Sequence, residues 1–360
     1  MTDTDPEGVR SDERRTAPRR RLRSRLTGVG VFLAAMATVA VVVVASLHLH
    51  LPFDLSGEPS HPSDHAGPIR PRRPAKPTSA PTVTVSTIGS LSAPTSRIAA
   101  VAFGSGGALL LGGYDSAGNP TDTVGNFQAA YVTSAGTLPA PDASAVAATI
   151  GTSVYLFGGE SSTIYELTST GFSVVGTLPT ATADAAVATV GDLVYVIGGS
   201  DGAAELNSIV GYTPSATALG VATLPVRLRY ATAAAVGGDV YIIGGSTGGI
   251  PSSTVYQFDP LTNTVTGFTT LPHAFDRETA ATLDGKIYVI GGENATGART
   301  RAIYTINPIS GAVRVAGLLP HALADAAAVT GDGEIIIAGG TGNTSAPVAT
   351  IYAMKARPLS

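Results

Sequence analysis

Four-residue apolar runs, each closed by a pair of glycines, recur through residues 82–360: "ALLLGG", "VYLFGG", "VYVIGG", "VYIIGG", "IYVIGG" and "IIIAGG". The pairs begin at Gly112, Gly158, Gly198, Gly244, Gly291 and Gly339, at intervals of 46, 40, 46, 47 and 48 residues. A run of small residues precedes each, as in "DAAVATVG" and "YATAAAVG", and a tyrosine follows at Tyr131, Tyr165, Tyr212, Tyr256, Tyr304 and Tyr352. Leu-Pro comes before all but the first unit, at Leu138, Leu178, Leu224, Leu271 and Leu319. Runs this short, bounded by glycine and proline and rich in Val, Ile and Tyr, predict strands rather than helices. Alanine leads the helix scale, yet an uncapped stretch of six or seven residues is too short to stand as a helix.

Four short strands per unit and six units predict an all-β, six-bladed propeller. Alanine suits the innermost strands because they converge on a narrow axis where bulky side chains would collide. The glycine pairs read as tight turns near that axis. They do not read as phosphate loops, because no Lys-Ser/Thr follows and no helix begins. The last unit holds only three strands before the chain ends at Ser360. The alternating segment "TVTVSTIGSL", 82–91, is therefore expected to close the last blade as its fourth strand.

The first 81 residues follow a different pattern. Residues 27–47 carry no charge and are almost wholly apolar, long enough for a bilayer-spanning helix. Eight arginines against five acids in residues 1–26 predict a basic cytoplasmic tail, so that everything beyond the span lies outside. A signal peptide cleaved near Val43-Val44-Ala45 is the alternative, although the apolar core exceeds the usual signal length. Eight prolines in residues 52–81 predict an extended stalk over 48–81. His48, His50, His61 and His65 are spaced too irregularly to describe a metal site.

Composition narrows the chemistry. The chain has no cysteine and no tryptophan, so it makes no disulfide, thiolate ligand or thiol nucleophile. Residues 82–360 hold ten basic and eighteen acidic groups, a net charge of −8 that disfavours nucleic acid as a partner.

With the glycine doublet ending the second strand and the tyrosine following it, residues 82–360 resemble the kelch-repeat family of β-propellers. That family usually carries a tryptophan in the fourth strand. This chain has Val132, Phe172, Ala218, Val265 and Val313 there, which implies thinner packing between the outer regions of the blades. The resemblance implies a binding face built from the loops between second and third strands and between successive blades. Counting fourteen residues back from each glycine pair gives Ile98 with Arg97 beside it, then Ser144, Asp184, Tyr230, Arg277 and Asp325, as a candidate channel-mouth rim. The loops after the glycines add Asp115, Glu160, Asp201 and Glu293, and the neighbouring turns add Arg229, His273, Asp276, Glu278 and His321.

Such a rim offers hydrogen bonds to a protein, peptide or glycan. Glu160, Asp201 and Glu293 have the chemistry of a hard-cation cluster, but they stand on different blades, and no metal or cofactor is predicted. The expected activity is that of a membrane-tethered, extracytoplasmic binding or scaffold module, with no catalytic residue assigned. The alternative is a carbohydrate-active enzyme of the sialic-acid mutarotase type, a class that also resembles this architecture, with Arg277, Glu278, His273 and Asp276 as groups able to supply an acid/base pair and sugar contacts. Copper radical oxidases share the architecture but need a Tyr–Cys crosslink, which zero cysteines exclude.

Overall fold

The computed structural model describes residues 83–357, and these are all-β. The basic tail (1–26), the apolar segment (27–47) and the proline-rich stalk (48–81) lie outside the described residues. Among the described residues no helix is long and apolar enough to cross a membrane.

Twenty-four strands form six four-stranded antiparallel sheets. Blade 1 comprises β2 (Ala99–Phe103), β3 (Gly107–Leu111), β4 (Thr121–Gln128) and β5 (Tyr131–Asp142). Blade 2 comprises β6 (Ala145–Ile150), β7 (Ser153–Gly158), β8 (Ser161–Thr168) and β9 (Gly171–Thr182). Blade 3 runs from β10 (Ala186–Val190) through β11 (Leu193–Ile197) and β12 (Ser208–Thr213) to β13 (Ala216–Thr223). Blade 4 holds β14 (Arg229–Val236), β15 (Asp239–Thr247), β16 (Ile250–Asp259) and β17 (Thr264–Phe275). Blade 5 holds β18 (Thr279–Leu283), β19 (Lys286–Ile290), β20 (Ala302–Ile306) and β21 (Val313–Leu318).

Blade 6 is assembled from both ends of this region. β22 (Ala327–Gly331), β23 (Glu334–Ala338) and β24 (Thr350–Ala356) are completed on the outside by β1 (Val83–Ser90), which pairs β24 from Val83↔Ala356 to Ser90↔Thr350. The pairing covers an edge that would otherwise present unpaired amides.

The core is divided among the blade interfaces. Six buried apolar clusters each join two neighbouring blades. Tyr288 and Ile290 meet Ile335 and Ile337, for example, and Leu110 and Phe127 meet Ile336 and Ile351. The Leu-Pro leucines are all buried in these layers or beside them. Opposite three of the small fourth-strand residues stand larger third-strand partners, Phe127↔Val132, Phe258↔Val265 and Ile306↔Val313. Phe127 and Phe258 are fully buried, so some of the bulk a tryptophan would supply comes from the neighbouring strand.

The tyrosines are less regular than the sequence suggests. Tyr165, Tyr256, Tyr304 and Tyr352 each pair with the residue two places before the glycine pair: Leu156, Ile242, Val289 and Ile337. Tyr212 lies two residues further along its strand, opposite Val194. Tyr131 opens a fourth strand instead and is exposed. The third-strand place in blade 1 belongs to Gly125, where a Cβ would press against Val132.

Each glycine pair serves two ends at once. Both members take left-handed φ, 62° and 104° at Gly112-Gly113. A Cβ on Gly112 would collide with the carbonyl oxygen of Asp142, the last residue of the same blade's fourth strand, where the chain passes on to blade 2. That same carbonyl accepts a hydrogen bond from the Gly113 amide at 2.8 Å. The contact recurs between Gly199 and Leu228, Gly292 and Leu323, and Gly340 and Thr95. A side chain at the first glycine would therefore displace the connection to the next blade as well as strain the turn.

Candidate functional site

One residue at or just before the start of each inner strand stands at one end of the channel. These are Arg97, Ser144, Asp184, Tyr230, Arg277 and Asp325, all half-buried around one cavity. The count of fourteen lands one residue late in blade 1 because its first hairpin carries an extra residue. Phe103↔Gly107 spans three residues where Ile150↔Ser153 spans two.

Backbone hydrogen bonds link these positions from blade to blade. The Arg97 amide donates to the Asp325 carbonyl at 2.8 Å, Asp325 to Arg277 at 2.9 Å, Arg277 to Tyr230 at 3.1 Å, Tyr230 to Asp184 at 3.1 Å and Asp184 to Ser144 at 3.0 Å. The ring opens between Ser144 and Arg97, because the Ser144 amide donates instead to the Asp142 carboxylate at 2.7 Å. Five of the six residues hold left-handed φ: Arg97 at 54°, Asp184 at 56°, Tyr230 at 57°, Arg277 at 58° and Asp325 at 54°. That conformation costs an L-residue with a Cβ about 1–2 kcal/mol and suits glycine. A chain with 43 glycines places none of them here.

The side chains converge on Tyr230. The guanidinium carbons of Arg277, Arg229 and Arg97 lie 3.9, 4.2 and 4.9 Å from its ring centroid, and Arg229 donates to its hydroxyl. Two carboxylates face the three cations. Asp184 accepts from Arg97 and, at 2.5 Å, from Arg229. Asp325 accepts from Arg277 at 3.2 Å, with Arg97 Nε at 3.8 Å. Guanidinium groups stacked on an aromatic face and forked onto carboxylates form a rigid polar surface rather than a set of free arms.

Two further acids stand behind this surface. Burial raises the Asp276 carboxyl above its usual range. Arg277 pulls it back, and the charges of Glu293 and Asp325 push it up again. Glu278 is more extreme. It is almost completely buried, burial pushes it well above its usual range, and neither carboxyl oxygen has a hydrogen-bond partner. The equivalent positions in the other blades are Ile98, Ala145, Ala185, Ala231 and Ala326, and together with Glu278 these line the same cavity.

The loop acids predicted for the rim are differently employed. Asp115 and Asp201 accept backbone amides of their own loops, from Ala117 and Asn119 and from Ala203 and Ala204, and those amides hold both carboxylates below their usual range. Glu293 pairs with Arg299 at 2.8 Å. Glu160 is exposed in a tight turn. The Glu160–Asp201–Glu293 cluster does not form, and among the described residues no group of acids or histidines is placed to hold a metal ion. His273 and His321 are exposed.

Sequence reasoning missed Asp142, which opens the amide ring, and Tyr114, whose ring lies 5.5 Å from the Arg97 guanidinium. The signal for Asp142 is present in "PDAS", an aspartate placed to cap the amide two residues on.

Residues 181–214 and 227–272 match the family model described as the Kelch motif. The solved structure titled "Structure of YjhT" is similar to this chain at 13% sequence identity with a TM-score of 0.64, covering 74% of this chain and 96% of that one. At that identity the likeness is one of fold. No curated protein matches the sequence.

Proposed function

We propose, from the premise that this chain is a kelch-repeat β-propeller, that it is a membrane-tethered, extracytoplasmic module whose channel mouth engages a protein, peptide or glycan. The propeller fold supports a binding or scaffold role in general, and the mouth supports the particular one. The observation that carries the reading is the left-handed conformation of Arg97, Asp184, Tyr230, Arg277 and Asp325. Backbone strain at a position that glycine would relieve persists where the side chain has a use, and such strain clusters at binding sites. The tether rests on the uncharged run at 27–47 and its arginine-rich flank.

The test is co-purification of partners with the membrane-bound protein, beside a variant carrying Asp184→Ala, Arg277→Ala and Asp325→Ala. Loss of a partner from the variant supports the mouth as the site, and retention of every partner rejects it. Protease added to intact cells should reach the propeller, and full protection would reject the outside location.

The carbohydrate-active reading has one observation in its favour. Glu278 keeps a proton near the mouth at a pH where an ordinary glutamate is ionised, as a general acid requires. Turnover on a sugar panel that disappears in Glu278→Gln would favour it.

A further inference from the structure

Beside the mouth, off the axis, three blades enclose a second cavity of about 240 Å³. Its wall includes Glu205 from blade 3, Arg229, Tyr230 and Ser246 from blade 4, and Asp276, Arg277 and Glu293 from blade 5 or its entry. That volume falls below the roughly 300–1,000 Å³ of pockets for drug-sized ligands, so it suits a small molecule rather than an oligosaccharide. Both signs of charge line it, and each sign has unused capacity.

On the cationic side, Arg229 commits its Nη2 to Asp184 and Tyr230, and Arg277 its Nη1 to Asp325. Among the described residues, the Nη1 of Arg229 and the Nη2 of Arg277 carry no hydrogen bond. On the anionic side, the nearest cation to Asp276 is Arg277 Nε at 3.8 Å, too far for a hydrogen bond. Glu293 commits its Oε2 to Arg299 at 2.8 Å, and its charge adds to the repulsion around Asp276. Among the described residues the Glu205 carboxylate accepts only the Gly248 amide, at 2.8 and 3.0 Å to its two oxygens. A carboxylate alone would satisfy the arginines and aggravate the acids, and an amine alone would do the reverse.

We propose that this pocket binds a free α-amino acid, whose carboxylate meets the unused guanidinium nitrogens of Arg229 and Arg277 and whose ammonium group meets Asp276 and Glu293. The two charges of such a ligand sit on one carbon, so a single small molecule complements both sides of a small cavity. Tyr230 and Ser246 complete the polar wall. The inference goes beyond the partner-binding reading and does not depend on it: the pocket shares Tyr230 and Arg277 with the mouth but needs no macromolecule.

The test measures thermal unfolding and titration calorimetry of the purified full-length chain with the free L-amino acids, the matching N-acetyl amino acids, the matching amino-acid amides and a set of hexoses. At least one free amino acid should raise Tm by several degrees at saturation. Its N-acetyl and amide forms should each bind at least tenfold more weakly, because each lacks one charge. Asp276→Asn should weaken the free amino acid at least tenfold and leave the N-acetyl form unchanged, which a variant with a damaged fold would not do. The ligand series in the unsubstituted protein decides the matter even if that variant is unstable. The proposal is overturned if no free amino acid binds, if either capped form binds equally well, or if hexoses alone respond. Partner loss in the mouth variant is read separately, so either reading can fail without the other.

Discussion

The carboxyl of Glu278 stands where a side chain on Gly244 would have to go: a Cβ on Gly244 would collide with Glu278 Oε1. At the other blade interfaces a backbone carbonyl crowds the equivalent glycine. Blade 4 substitutes an acid reaching across from blade 5, and burial raises that acid's pKa well above the ordinary glutamate range.

A pH dependence follows. The folded carboxyl titrates above its unfolded value of 4.5, so the unfolded state loses this proton first as pH rises. The ionisation of Glu278 therefore costs the fold nothing below about pH 4.5 and destabilises it increasingly between there and the folded value. The Tm of Glu278→Gln should match that of the unsubstituted protein at acid pH and exceed it increasingly toward neutrality. Parallel Tm profiles from acid pH to neutrality would contradict the assignment.

Gly244→Ala tests the same contact from the other side. The left-handed φ of 59° alone costs alanine about 1–2 kcal/mol, and the collision with Glu278 adds to it. Pairing Gly244→Ala with Glu278→Ala should recover the collision cost only, a coupling that a denaturation double-mutant cycle measures.

At the mouth, Arg277→Gly should be more stable than Arg277→Ala by about 1 kcal/mol, because glycine relieves the left-handed strain and alanine does not. The same order is expected for Tyr230. If alanine is the better residue in denaturant titrations, the strain is absent.

Asp184→Ala should cost about 2 kcal/mol, since it leaves Arg97 and Arg229 without their shared, nearly buried acceptor. Tyr230→Phe keeps the stacking platform and should cost less than about 1 kcal/mol. Both are read by denaturant titration.

Deleting residues up to 90 removes β1 and bares the edge of β24. The shortened propeller should melt several degrees lower and aggregate more readily, whereas deletion up to 80 should leave Tm unchanged.

The repeat of glycine pairs and Leu-Pro dipeptides was enough to give the blade number and the place of each inner strand, because strand periodicity, turn chemistry and small residues at the axis are local demands. Naming Arg97, Ser144, Asp184, Tyr230, Arg277 and Asp325 as neighbours needed only that repeat, since ring closure brings equivalent positions together. Three things were not set by the repeat spacing. One residue inserted in the first hairpin shifted the count in blade 1, and Tyr131 fell on the wrong strand, because register is fixed by pairing rather than spacing. The loop acids Asp115 and Asp201 turned inward on their own amides. The clustering of three arginines on Tyr230, and the burial of Glu278 without a partner, come from side chains meeting between blades. No one-dimensional pattern encodes that, because desolvation and charge pairing depend on which surfaces face each other once the ring has closed.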